Sequence, residues 1–146
     1  MPSRRASLIA CLLLVAAPAI AQTPEAGVVR LADELQYKGL PGTPLYSVLY
    51  GDASKPELYV MRVKFAPGVK VMPHSHPEQV RVVTVMSGTF YYAFGDTFDE
   101  SKLQRMPPGT MFTEPARAPH FAWAKDGEVI LQLTAIGPTG TFEVVK

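Results

Sequence analysis

The chain has 146 residues, 47% of them hydrophobic, with 14 basic and 13 acidic side chains and a single cysteine. That length holds one domain with a core of its own. Its Lys and Arg are scattered rather than clustered, which excludes the basic footprint that nucleic acid or an anionic membrane surface requires, so the expected partner is a small molecule.

Arg4 and Arg5 precede an apolar run over residues 8–20, and Ala19-Ile20-Ala21 fits the small-x-small cleavage rule. Residues 1–21 therefore read as a secretory signal peptide cut after Ala21, and the mature protein is expected to be periplasmic or secreted. No later run approaches the roughly 20 apolar residues of a membrane-spanning helix, so no membrane insertion is expected after cleavage. Leu8-Ile9-Ala10-Cys11 is similar to a lipoprotein box, but most of the apolar stretch follows Cys11, which argues against lipidation there. Cleavage removes Cys11, leaving neither a disulfide nor a thiolate ligand. It also removes Arg4 and Arg5, leaving 12 basic residues against 13 acidic ones.

Residues 22–44 read as a lead-in arm with one helical turn at 32–35, and residues 45–146 as the folded domain. A turn cluster, Pro41-Gly42-Thr43-Pro44, leads into a strand at 45–50. The clearest period-two run follows at 58–65, with Arg62 and Lys64 on one face and Met61, Val63 and Phe65 on the other. Further β-rich runs fall at 69–73, 80–86 and 89–94, with a hairpin corner expected at 86–89. The polar stretch 95–105 carries Asp96, Asp99 and Glu100 and reads as a solvated edge, with a lid over a barrel mouth as the alternative. Short strands are expected at 103–106, 109–114 and 118–123, a two-strand turn at Lys125-Asp126-Gly127, and final strands at 128–136 and 141–145. Close strand spacing, 14 prolines and 11 glycines argue for an all-β sandwich or barrel. Met61, Met72, Met86, Met111, Phe112, Tyr92 and Trp123 are assigned to the core, with some of Tyr92, Phe112, Phe121 and Trp123 reaching an internal cavity.

The chemistry concentrates in the three histidines. In an extended strand the spacing of His74 and His76 points both imidazoles to one face, and a closed β-fold can bring His120 opposite them. Three neutral imidazoles suit Fe, Mn, Zn, Ni or Cu and leave open coordination positions for water or substrate. A satisfied polar histidine is the bland alternative for any one of them.

Gly68, His74, His76 and Gly88 match the first sequence pattern of the cupin superfamily, and Gly109, Pro115 and His120 match its second. Over residues 45–145 the chain therefore resembles a small single-domain cupin. The resemblance implies a double-stranded β-helix, or jelly-roll barrel, around one divalent transition metal, often held by three histidines and a glutamate. It further implies a homodimer built through edge strands, and dioxygenase, isomerase or lyase chemistry, with non-catalytic small-molecule binding as the alternative. Arg117 stands where the second pattern has glycine and Ala124 where it has asparagine. More consequentially, Arg81 occupies the glutamate position, and a guanidinium cannot ligate a cation. Three alternatives stay open. Glu78 supplies the carboxylate through a local shift; Glu114 does so, or pairs with Arg81 beside the metal; or the site has three histidines alone. Arg81 itself is read as a salt-bridge partner of Glu78 or Glu114, or as the receptor of an anionic substrate group, and Glu78 and Glu114 are the candidate bases.

Overall fold

A computed structural model describes residues 27–144. The expected signal peptide and cleavage point, Cys11 and the start of the arm lie outside the described residues, as do Val145 and Lys146. The arm holds one 3-10 turn, Ala32–Glu34, and joins the domain through an isolated bridge between Lys38 and Tyr46.

Ten strands follow: β1 (Leu45–Tyr50), β2 (Leu58–Phe65), β3 (Lys70–Ser75), β4 (Val80–Ser87), β5 (Phe90–Phe94), β6 (Gln104–Met106), β7 (Met111–Pro115), β8 (His120–Trp123), β9 (Val129–Ile136) and β10 (Phe142–Glu143). They form two five-stranded antiparallel sheets, ordered β1-β2-β9-β4-β7 and β10-β3-β8-β5-β6. Alternation does the sorting, as strict period-two patterning requires. In β2, Tyr59, Met61, Val63 and Phe65 are buried while the residues between them are not, and β9 repeats this with Val129, Leu131, Leu133 and Ala135.

Three expectations need correction. The corner at 86–89 does not join a hairpin, because β4 pairs with β7 and β9 while β5 pairs with β6 and β8. Lys125-Asp126-Gly127 likewise carries the chain from β8 in one sheet to β9 in the other. Turn chemistry marks a reversal but not whether the next strand pairs with the last. At the first corner Gly88 has φ +74°, and a Cβ there would stand 2.1 Å from the Glu128 carbonyl oxygen, so only glycine fits. Finally, Met72, Met86 and Met111 are exposed, since each takes an outward position on its strand. The 95–105 stretch forms a 3-10 turn (Glu100–Lys102) and then β6, tied down where Lys70 Nζ meets Glu100 Oε1 at 2.7 Å.

Cross-strand register stacks the interior in layers. In one sheet Tyr59 pairs with Ala135, Ala135 with Arg81, and Arg81 with Glu114. In the other, His74 pairs with His120. One layer deeper lie Met61, Leu133 and Val83 against Val71, Ala122 and Tyr92. The histidines and the charged groups thus share one level, and the next level is apolar except for the Tyr92 hydroxyl.

Candidate metal centre

β3 carries a register shift between Val71 and His74 and ends at Ser75, so His76 sits just past the strand end; β8 begins at His120. Their rings converge, with centroids 4.4 Å apart for His74 and His120, 4.8 Å for His74 and His76, and 5.1 Å for His76 and His120. One ligand atom from each lies within 4.8 Å of the others.

The outer ring nitrogens fix the tautomers. Nδ1 of His74 lies 2.9 Å from the Met72 carbonyl, that of His120 2.9 Å from the Ala118 carbonyl, and that of His76 2.7 Å from the Gly140 carbonyl. A carbonyl only accepts, so each Nδ1 carries the proton and each neutral ring keeps an Nε2 lone pair. Gly140 is placed by the segment after β9, where Gly137 N–H donates to Glu57 and Thr139 N–H to Ala53. Burial keeps the rings neutral. It lowers the pKa of His76, with help from the Arg81 charge, to about 3, and that of His120 to about 4; His74 is lowered by burial and by His120. Three lone pairs facing one another without a proton between them fit a transition-metal cation.

Glu114 projects from β7 into this cluster, its Oε1 3.6 Å from His120 Nε2 and its Oε2 3.8 Å from His76 Nε2. Its Oε2 also accepts from Arg81 Nη1 at 3.3 Å. Burial pushes the Glu114 pKa up, and that outweighs the nearby guanidinium, which lowers it. Glu78 points elsewhere: its Oε1 accepts a 2.6 Å hydrogen bond from Tyr59 and stands 3.4 Å from Arg81 Nε, too poorly aligned for a hydrogen bond. No hydrogen bond or ion pair between Glu78 and a histidine occurs among the described residues. Arg81 therefore bridges both carboxylates, and all three side chains are buried, at 6%, 4% and 7% exposure for Arg81, Glu78 and Glu114. The guanidinium is thus flanked by two carboxyl groups.

The histidines, Arg81 and Glu114 line one end of a cavity of about 410 Å³, walled otherwise by side chains such as Val63, Phe65, Val83, Leu131 and Leu133. Of the four aromatics considered for it, Tyr92 lines it; Phe112, Phe121 and Trp123 do not. Tyr59 and Gly140 had no signal in the sequence, because their roles depend on partners 19 and 64 residues away.

Two packed antiparallel sheets enclosing an inward histidine triad define a double-stranded β-helix protein with a potential metal centre. Residues 54–144 match the cupin family, and the chain belongs to it. It is 33% identical over 69 residues to germin-like protein 3-1 from Oryza sativa subsp. japonica, covering 47% of this chain and 31% of that one. The chain thus spans about a third of the curated relatives it matches. Among solved structures, KdgF from Halomonas sp. superposes with a TM-score of 0.61 at 20% identity, covering 77% of this chain and 96% of that one. The polyketide cyclase RemF from Streptomyces resistomycificus gives 0.66 at 14% identity, covering 82% and 87%. At those identities the likeness is one of fold.

Proposed function

We propose that this cupin holds one divalent transition metal through Nε2 of His74, His76 and His120 and presents it to a small oxygen-bearing molecule in the cavity. One observation carries the reading: every Nδ1 is committed to a backbone carbonyl, leaving three Nε2 lone pairs that face one another. When bound, the metal supplies Lewis acidity toward a substrate oxygen. Glu114, beside two of the Nε2 atoms, holds or takes a proton at its carboxylate, and Arg81 fixes that carboxylate in place. Glu78 orients Arg81 from behind, and the apolar walls exclude water. The chemistry is of the dioxygenase, isomerase or lyase kind.

Metal analysis of wild type beside His120→Ala tests the centre. The variant is expected to lose most of its metal; equal content in the two proteins sinks the reading. Oxygen uptake and substrate loss over diketones, catechols and organic acids test the chemistry.

A non-catalytic binder is the second reading, favoured by Arg81 standing at the glutamate position of the family pattern. A ligand that raises the melting temperature without being consumed supports it. The reading also places the protein in the periplasm or outside the cell, which N-terminal sequencing of fractionated protein checks, and pairs it through an edge strand, which a monomeric mass by light scattering would overturn.

A further inference from the structure

On β5, Phe90 and Tyr92 both turn inward, and each is only 2% exposed. Phe90 needs no polar partner. The Tyr92 hydroxyl is fully buried and has no hydrogen-bond partner among the described residues. Such an orphan costs stability that a phenylalanine would not. Its ring lies against apolar aromatics, 4.7 Å from Phe112 and 6.2 Å from Phe90, so packing alone is served by Phe at this position.

The hydroxyl is not remote from the ionisable layer. The Tyr92 ring lies 5.3 Å from that of His120, tilted at 30° to it. Tyr92 pairs with Ala122, one layer deeper than the His74–His120 pair, so it stands between the histidines and the apolar end of the cavity that it lines. Tyr92 also borders a second hollow with Phe94, Gln104 and Phe112. Tyr92 shares the lining of the histidine-lined cavity with Glu114 and Arg81. A phenol keeps its proton at neutral pH, so the hydroxyl can donate.

We propose that the Tyr92 hydroxyl donates a hydrogen bond to an oxygen of the molecule bound in the cavity, and that this molecule is an organic acid or enol with a compact hydrocarbon body. One of its oxygens faces the Nε2 cluster, another receives the Tyr92 proton, and its hydrocarbon fills the space between Val63, Phe65, Val83, Leu131 and Leu133. An amphiphile of this shape matches a cavity whose polar groups share one end. Tyr92 is then a ligand-contacting residue that selects oxygen donors, an inference that rests on the metal-binding reading above.

The test uses the cobalt(II)-loaded protein titrated with benzoate, followed by the visible spectrum of the cobalt, for wild type and Tyr92→Phe. Both proteins are expected to hold equal cobalt, and the variant to resist urea at least as well as wild type. Benzoate affinity is expected to fall about tenfold in the variant, as for the loss of one hydrogen bond worth about 1.4 kcal/mol. Unchanged benzoate affinity overturns the contact. A clearly destabilised or unfolded Tyr92→Phe protein also overturns it, because the hydroxyl would then be structural. Wild type that holds cobalt but ignores millimolar benzoate overturns the assigned ligand class. Failure of wild type to hold cobalt instead overturns the metal-binding reading on which the inference stands.

Discussion

Arg81 and Glu114 are direct cross-strand partners on β4 and β7, with Nη1 3.3 Å from Oε2 in the barrel interior. The guanidinium there is shared with Glu78, so removing it strands two buried carboxylates. Arg81→Met is expected to cost about 3–5 kcal/mol at pH 7, the usual result of breaking a buried pair from one side. Adding Glu114→Met to it should cost far less than the two single changes together, a coupling above about 1 kcal/mol in a urea double-mutant cycle. Additive losses would mean that the two side chains do not act as a unit.

Metal occupancy should appear in stability as well as in elemental analysis. A cation present at a hundredfold over its dissociation constant adds about 2.7 kcal/mol to the folded state alone. For a domain of this size that is roughly 10 °C of melting temperature. Wild type is expected to lose about that much on treatment with a chelator, while His120→Ala is expected to melt at one temperature with and without it. A chelator-insensitive wild type would contradict the proposed centre.

The metal-free protein should also be acid-sensitive in a defined window. His76 and His120 have folded pKa values of about 3 and about 4, against about 6.5 in an unfolded chain. Their folded pKa values are depressed, so their contribution is whole above about pH 6.5 and is lost as pH falls toward 4 and below. Across that span the unfolded chain gains protons that the fold refuses, at about 1.4 kcal/mol per pH unit for each ring. Glu114 works in the opposite sense, because its raised pKa favours the fold as pH falls, but it is one group against two. Urea midpoints of chelator-treated protein are expected to drop steadily from pH 7 to pH 5, and His76→Gln to flatten the slope. A level profile would show that the rings charge freely in the fold.

Much of the barrel was legible because alternation is a local signal: β2 and β9 could be read residue by residue, and so could the polar and apolar faces of β2. The exposed Met111 was readable too, since parity with Glu114 puts it on the outward face, but hydrophobicity alone sends it inward. What the chain order conceals is pairing. The turns at Gly88 and Gly127 look like hairpin turns, and only the sheet order reveals them as crossings. The same limit governs the site. The three histidines stand at motif spacing, yet choosing between Glu78 and Glu114 as the carboxylate near them required the β4–β7 register, which no local pattern encodes. The carbonyl of Gly140 and the hydroxyl of Tyr59 became partners only through loops and strands brought together by closure of the barrel.

Arg117 offers a last prediction, because it occupies a glycine position of the second cupin pattern without abandoning the glycine conformation. Its φ is +56°, the one non-glycine residue with positive φ among those described. The turn is kept because Arg117 N–H donates to the His76 carbonyl at 2.9 Å, tying the approach to β8 to the end of the first histidine segment. The side chain recovers part of the strain by standing 5.1 Å over the Phe142 ring. A left-handed residue with a Cβ carries about 1–2 kcal/mol of backbone strain, and glycine removes it at a cost of about 0.5–1 kcal/mol in unfolded-state freedom. Arg117→Gly also gives up the contact with Phe142, so it is expected to leave stability within about 1 kcal/mol of wild type. Arg117→Val, whose branched Cβ tolerates this φ poorly, should lose at least about 1 kcal/mol and loosen His76 with it. Urea unfolding of the two variants, with metal content measured on the same preparations, checks both. A valine variant as stable as the glycine one would mean that the turn relaxes without strain and does not constrain His76.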